Sequence, residues 1–261
     1  DIRLDLAYFN YNLNDDFTLI GGKMKNPFYR PDKTPILWDG DLNPEGLALN
    51  YKKGAIQANL VGYSVEERSS ADDTLMFGGQ IMFTHDASES ITLNSGIGYY
   101  DYRELKGNAP LYDGSSKGNT LDADGNLAFD FNIAELFVEM KTTLSDRPLS
   151  VYGNYFRNTA ADDLDTAYTV GFKYGKVSAP GSWDFGLAYL DVEADAVLGT
   201  FNDSDFGNGN TDSKGMILRG GYGLQKNMSL GLTYIDSEFN QSQLTQTDYD
   251  RLQLDYILKF K

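Results

Sequence analysis

The last ten residues, LQLDYILKFK, place Leu252, Leu254, Tyr256, Leu258 and Phe260 at alternate positions, with Gln253, Asp255, Ile257 and Lys259 between them. A period of two describes a strand whose faces meet different surroundings. The same grammar recurs along the chain. Leu75, Phe77, Gly79, Ile81 and Phe83 form one such row, and Tyr168, Val170, Phe172 and Tyr174 form another. Trp183, Phe185, Leu187 and Tyr189 form a third, followed by Met228, Leu230, Leu232 and Tyr234. Helical periodicity is nearly absent. The pattern predicts about thirteen strands, over 1–13, 17–29, 46–54, 55–66, 73–85, 89–103, 131–145, 148–158, 164–177, 182–194, 214–225, 228–238 and 248–261.

The connections alternate as well. Short turns fall at LNDD, KKG, THDASES, LSDRP, KVSAPGS and LQKN, and longer links at 30–45, 106–127 and 200–213. Short turns at one end and long polar loops at the other are the pattern of an antiparallel transmembrane β-barrel of the outer-membrane type. In such a wall the apolar row faces hydrocarbon and the polar row faces a wet lumen. Many aromatic residues stand at the ends of the apolar rows, among them Tyr8, Tyr51, Phe83, Tyr99, Tyr155, Tyr168, Tyr174, Trp183, Tyr189, Tyr234, Tyr256 and Phe260. Rings with polar tips favour the headgroup level and would form girdles at both rims of an apolar band about 25 Å tall. Tyrosine is also a good strand former on half-buried faces, which is the alternative reason for its position.

Composition removes other classes. A net charge of −16 argues against a nucleic-acid partner. With no cysteine there is no disulfide framework and no thiolate nucleophile or metal ligand. The chain has no run of 18 apolar residues, so no transmembrane helix is expected. The single histidine, His85, falls in the predicted turn THDASES beside ordinary turn residues, so no catalytic residue is assigned. DADGN resembles the start of a calcium loop, but Ile133 stands where the closing Glu would be, and neither a metal site nor a cofactor is expected.

Residues 21–54, GGKMKNPFYRPDKTPILWDGDLNPEGLALNYKKG, resemble the signature of the Gram-negative "putative porin" family. The corresponding positions are Asn26, Pro27 and Phe28, then Trp38, Asp39 and Asp41, then Pro44, Glu45, Gly46 and Leu47. The rest of the chain is similar in strand rhythm and tyrosine content. Lys261 after Phe260 departs from the terminal aromatic common in outer-membrane proteins. The resemblance implies one bacterial outer-membrane barrel over 1–261, passing small hydrophilic solutes or ions by diffusion and lacking enzymatic activity. Family members carry further segments before this point. Parity agrees: with both end strands running the same way, at least one N-terminal strand is expected besides these, for a whole of about 14–16. A plugged barrel acting as a structural or interaction protein is the alternative function.

Sorting by parity assigns Arg3, Asp5, Lys23, Lys25, Lys52, Glu135, Glu139, Lys141, Lys173, Asp184, Arg219, Arg251, Asp255 and Lys259 to the lumen. A cation on the lipid face would cost about 2–4 kcal/mol near the midplane, which enforces the sorting. Nine of these are basic and five acidic, so the wall would either favour anions or simply pair its charges across strands. The loop 30–45, with Arg30, Trp38, Asp39 and Asp41, is the candidate constriction. It would narrow a pore if folded inward, and would form a surface or subunit contact if not. Expected partners are outer-membrane lipid, lipopolysaccharide and the solutes; a homotrimer rests on analogy with general porins.

Overall fold

The computed structural model describes residues 4–69 and 72–260. It is a single meander of thirteen antiparallel strands in which every strand pairs with its sequence neighbours. The strands are β1 (Ala7–Asn12), β2 (Phe17–Lys23), β3 (Glu45–Lys53), β4 (Ile56–Glu66), β5 (Thr74–Ser88), β6 (Ile91–Tyr102) and β7 (Phe131–Leu144). They continue as β8 (Arg147–Asn158), β9 (Thr166–Gly175), β10 (Trp183–Val192), β11 (Ser213–Gln225), β12 (Met228–Phe239) and β13 (Thr247–Leu258). One end carries tight turns. The β7–β8 turn has Ser145 and Asp146 both at positive φ, 49° and 61°, the twist that suits a two-residue hairpin. The other end carries the long connections 24–44, 103–130 and 193–212.

The apolar rows point away from the concave side. Leu254 is 73% exposed, Leu136 58%, Ile81 53% and Val170 53%. Among the described residues no second sheet covers them. Rings gather where these rows end: Tyr174 meets Trp183 edge-on with centroids 5.8 Å apart, and the Arg147 guanidinium lies 4.4 Å above the Trp183 ring. At the opposite end Tyr168 and Tyr189 lie 6.2 Å apart.

Several expected boundaries move, each for a local reason. The strand expected over 17–29 ends at Lys23, because the chain then turns off the wall, with Met24 N donating to Pro44 O at 2.9 Å. Gly46 opposite has φ 153°, and a Cβ there would sit 2.1 Å from Gly62 O, so only glycine brings the returning chain this close. β5 runs on to Ser88, which makes His85 a strand residue paired with Leu93 rather than a turn residue.

A larger correction concerns the inner face. Polar side chains were expected to dominate it, yet Tyr100, Tyr102, Phe131, Ile133, Phe137, Phe156, Leu190 and Ile217 point inward and are buried. All but Phe137 cluster with Phe28, Ile36, Leu37, Trp38, Leu105, Leu111 and Phe201 from the long connections, and Phe137 meets the Tyr29 ring with centroids 5.5 Å apart. Folding those segments into the barrel requires apolar surface on both partners. The core therefore sits inside, at the long-loop end.

β1 and β13 do not pair. Both run from the long-loop end to the tight-turn end, so antiparallel closure between them requires an odd number of interposed strands. In lipid such edges need partners, because hydrocarbon offers none for backbone N–H and C=O groups.

Candidate channel and its inward loop

The segment 24–44 folds into the barrel and is fastened to the wall formed by β4 to β8. Asn26 Oδ1 accepts Phe28 N at 3.2 Å, and Asn59 Nδ2 on β4 donates to Pro27 O at 3.1 Å. Gln80 on β5 clamps Tyr29 through its backbone, accepting from N at 2.7 Å and donating to O at 3.0 Å. The Tyr29 hydroxyl donates to Glu139 on β7, and receives hydrogen bonds from Asn94 at 3.0 Å and Lys141 at 3.1 Å. Glu135, two inward positions along β7, accepts from Tyr100 at 2.6 Å, Gln80 at 3.0 Å and Asn154 at 3.1 Å. Below these polar ties Trp38 stacks on Phe28 (5.8 Å, 18°) and meets Tyr100 edge-on at 5.5 Å. Asp39 N donates to Phe201 O at 2.7 Å, which joins the loop to the connection 193–212.

Fastened on one side, the loop leaves room on the other. A crevice of about 820 Å³ runs between it and the inner face of β8 to β13. Arg30, Asp32, Lys33 and Asp41 face it from the loop, and Asp203 from 193–212. Tyr152, Lys173, Asp184, Arg219, Asp255 and Lys259 face it from the wall. Five cations (Arg30, Lys33, Lys173, Arg219, Lys259) thus meet five carboxylates (Asp32, Asp41, Asp184, Asp203, Asp255). The expected basic excess is absent from this crevice, since the loops supply carboxylates that parity along the strands did not count. Lys173 and Asp184 form an ion pair at 3.6 Å. Burial lowers the pKa of the Arg30 guanidinium, opposed by Asp39 and Asp203. Burial also raises the Asp32 carboxyl, against the pull of Lys173 and Arg219, and raises Asp203.

The residues assigned to the lumen divide into groups. Lys173, Arg219, Asp255 and Lys259 come together on the crevice wall. Glu139 points inward but is committed to the loop, accepting also from Ser150 at 2.6 Å and paired with Lys141 at 3.1 Å. Arg251 reaches Asp205 on the connection 193–212 at 2.8 Å. Lys52 lies in the inward row of Ala48, close to the tight-turn end. Lys23 is a correction: it continues the row of Gly21, which packs under Phe9 and Leu47 on the outer side, and its ammonium donates to Leu4 O at 3.3 Å. Lys25 stands beyond β2, exposed, where the chain has left the wall. Arg3 lies outside the described residues. Within the loop, Arg30 and Asp41 line the crevice while Trp38, 3% exposed, is an anchor instead of a lining residue. Asp39 acts locally, its Oδ1 accepting Asp41 N at 3.0 Å. Sequence reasoning passed over Tyr29, Gln80, Tyr152 and Asp203. Of these, Tyr29 and Tyr152 had a signal, one following the Asn-Pro-Phe triplet and the other sharing inward parity with Ser150.

The sequence profile of the "Putative porin" family matches residues 1–127 and again 120–260. The chain belongs to that family. A porin is a barrel of the bacterial outer membrane, and the outward apolar rows described above are its lipid-facing surface. No curated protein matches the chain. Among solved structures, OprB of Pseudomonas putida is similar over 99% of this chain and 73% of its own, at 13% identity and a TM-score of 0.64. OccK7 (OpdD) of Pseudomonas aeruginosa is similar over 93% and 64%, at 13% identity and 0.56. Wzi of Escherichia coli, described as a carbohydrate-binding β-barrel of group 1 capsule assembly, is similar over 92% and 57%, at 12% identity and 0.57. At these identities the likeness is one of fold. The porin chain spans less than two thirds of the latter two.

Proposed function

We propose that this porin passes small hydrophilic solutes by passive diffusion, along a path between the inward loop and the inner face of β8 to β13. The observation that carries the reading is the charged crevice of about 820 Å³ left beside a loop fastened to the opposite wall. Loop and wall play separate parts. Tyr29 and Trp38 hold the loop, and Arg30, Asp32, Lys33 and Asp41 on its free side set the width and the field. Charges of both signs replace part of a solute's hydration while giving neither sign of ion a large advantage. The path requires no reaction, and His85, exposed on β5, is remote from the crevice residues in the pairing order. Lipid and lipopolysaccharide are the surroundings this reading gives the outer face and the long-loop rim.

A second reading is a plugged barrel with a structural role. It draws on the apolar packing of all three long connections inside the long-loop end. Single-channel recording from the folded chain in planar bilayers separates the two. Discrete ohmic steps support the channel, and folded, inserted protein without steps supports the plug.

A further inference from the structure

At the tight-turn end an open hollow of about 390 Å³ lies between the β7–β8 and β9–β10 turns, with Ser145, Asp146, Arg147, Lys176 and Ser178 in its lining. It shares no lining residue with the crevice. Arg147 continues the outward row of Val151 and Leu149, and Lys176 that of Phe172 and Tyr174. The last pair between β8 and β9 is Leu149 with Tyr174, so the same register carried two positions further sets Arg147 opposite Lys176. Like charges at facing positions repel. Neither cation is in an ion pair among the described residues, and Asp146, the one carboxylate lining the hollow, is paired with neither. Rings fix the depth of this pair. The Arg147 guanidinium lies 4.4 Å above the Trp183 ring, Trp183 meets Tyr174 edge-on, and the Tyr174 hydroxyl donates to Leu144 O at 3.1 Å. Trp and Tyr closing a lipid-facing row mark the headgroup level, where the cost of an outward cation falls away. The rim is also uneven in charge. The turns after β1 and β5 hold or adjoin Asp15, Asp16, Asp86 and Glu89, and Lys53 after β3 is paired with Asp16 at 2.7 Å. The turns after β7, β9 and β11 carry Arg147, Lys176 and Lys226 against Asp146 alone, in a chain of net charge −16.

We propose that this hollow binds the headgroup phosphate of an anionic phospholipid, bridged between Arg147 and Lys176. A phosphodiester offers two charged acceptor oxygens. Arg147 can donate to them from a planar fork and Lys176 as a point charge, and the Ser145 and Ser178 hydroxyls supply further donors. The bound anion cancels the repulsion between the two cations. A zwitterionic headgroup does this less well, because it brings a cation of its own. Basic pockets at the membrane surface take anionic headgroups for this reason. The tight turns of an outer-membrane barrel face the periplasm, so the lipid belongs to the inner, phospholipid leaflet.

Trp183 reports on the site, since Trp38, the other tryptophan, is buried inside the barrel away from lipid. The full chain is reconstituted in mixtures of phosphatidylglycerol and phosphatidylcholine, with one lipid and then the other brominated near the headgroup end of its acyl chains. The two quenching curves give the preference of the site. About fivefold in favour of phosphatidylglycerol is expected. Arg147→Gln combined with Lys176→Gln should bring the preference close to one. Lys176→Gln alone, at an exposed turn position that folding does not depend on, should lower it in part. Lys53→Gln, at another turn of the rim, should leave it unchanged. Potassium phosphate tested against potassium chloride of equal ionic strength separates a lipid from a free ion. A preference abolished by phosphate alone would assign the hollow to free phosphate and overturn the proposal. Equal quenching by the two lipids, or a preference that survives in both Lys176 variants, would overturn it as well. Conductance through the crevice is a separate readout that such a failure would not touch.

Discussion

The side-chain amide of Gln80 holds both backbone polar groups of Tyr29, accepting from its N–H at 2.7 Å and donating to its C=O at 3.0 Å. One side chain thus does for the inward loop what a neighbouring strand does for the wall. Gln80→Leu keeps the bulk and leaves two groups of Tyr29 unpaired, at about 1–3 kcal/mol each. The expected result is a lower thermal midpoint and a larger, noisier single-channel conductance as the loop loosens. Unchanged conductance with intact folding would mean the clamp does not control the passage.

The balance of charge in the crevice fixes what ion selectivity should look like. The unmodified channel is expected to show a reversal potential near zero in a KCl gradient. A unit charge acts on an ion about 4 Å away with about 1 kcal/mol in water, or about fivefold in a permeability ratio. Arg219→Gln should therefore favour cations by up to about fivefold, and Asp255→Asn should favour anions by a similar factor. Shifts of the same sign in both variants would contradict the placement of these two side chains on one path.

Acidity should act through the loop carboxyls. Burial raises Asp32 and Asp203 above the ordinary carboxylate value, so they take up protons at higher pH than a free Asp would. Protonation removes negative charge from a balanced crevice, and the expected drift on acidification is toward anion preference. The drift should begin above the usual carboxylate range, and Asp203→Asn should reduce it. The stability term follows the same sign. A carboxyl raised in the folded state stabilises at pH below its unfolded value, and that contribution is lost as pH rises through the folded value. The loop is thus expected to resist proteolysis better at mildly acidic pH than at neutral pH.

Gly46 tests the entry of the chain into β3. Its φ of 153° and the 2.1 Å approach of a built Cβ to Gly62 O leave no place for a side chain. Gly46→Val is expected to cost more than about 1 kcal/mol and to lower the fraction that migrates as folded barrel on an unheated SDS gel. Gly54→Ala, at an open turn with nothing within 4 Å of a Cβ but at φ 54°, should cost less.

How much was legible beforehand depended on whether a signal was local. Alternation is local, so Leu75 to Phe83 and Trp183 to Tyr189 could be read as outward rows before any coordinates. The signature residues Asn26, Phe28, Trp38 and Gly46 were legible as a motif, but what they do was not. Phe28 and Trp38 anchor the loop against Tyr100, a contact spanning more than sixty residues, and no short pattern encodes it. Parity also cannot tell a wet inner face from a packed one. Phe137 and Glu139 are both inward on β7, and only the arriving loop decides that one meets Tyr29's ring and the other its hydroxyl. Asp203 was not legible as a site residue, because nothing near it in sequence signals that 193–212 turns inward.

The native chain contains no cysteine, so single spin labels report cleanly on which side of the wall is wet. Labels at Leu136, Val138 and Val170 should collide with oxygen dissolved in the bilayer, and labels at Lys173 and Arg219 with a water-soluble nickel chelate. Opposite accessibility on the two faces of β9, oxygen at Val170 and nickel at Lys173, is the expected result. Nickel contact at Leu136 and Val170 with oxygen contact at Lys173 and Arg219, or no alternation in reconstituted barrels, would contradict a lipid-facing apolar row around a wet passage.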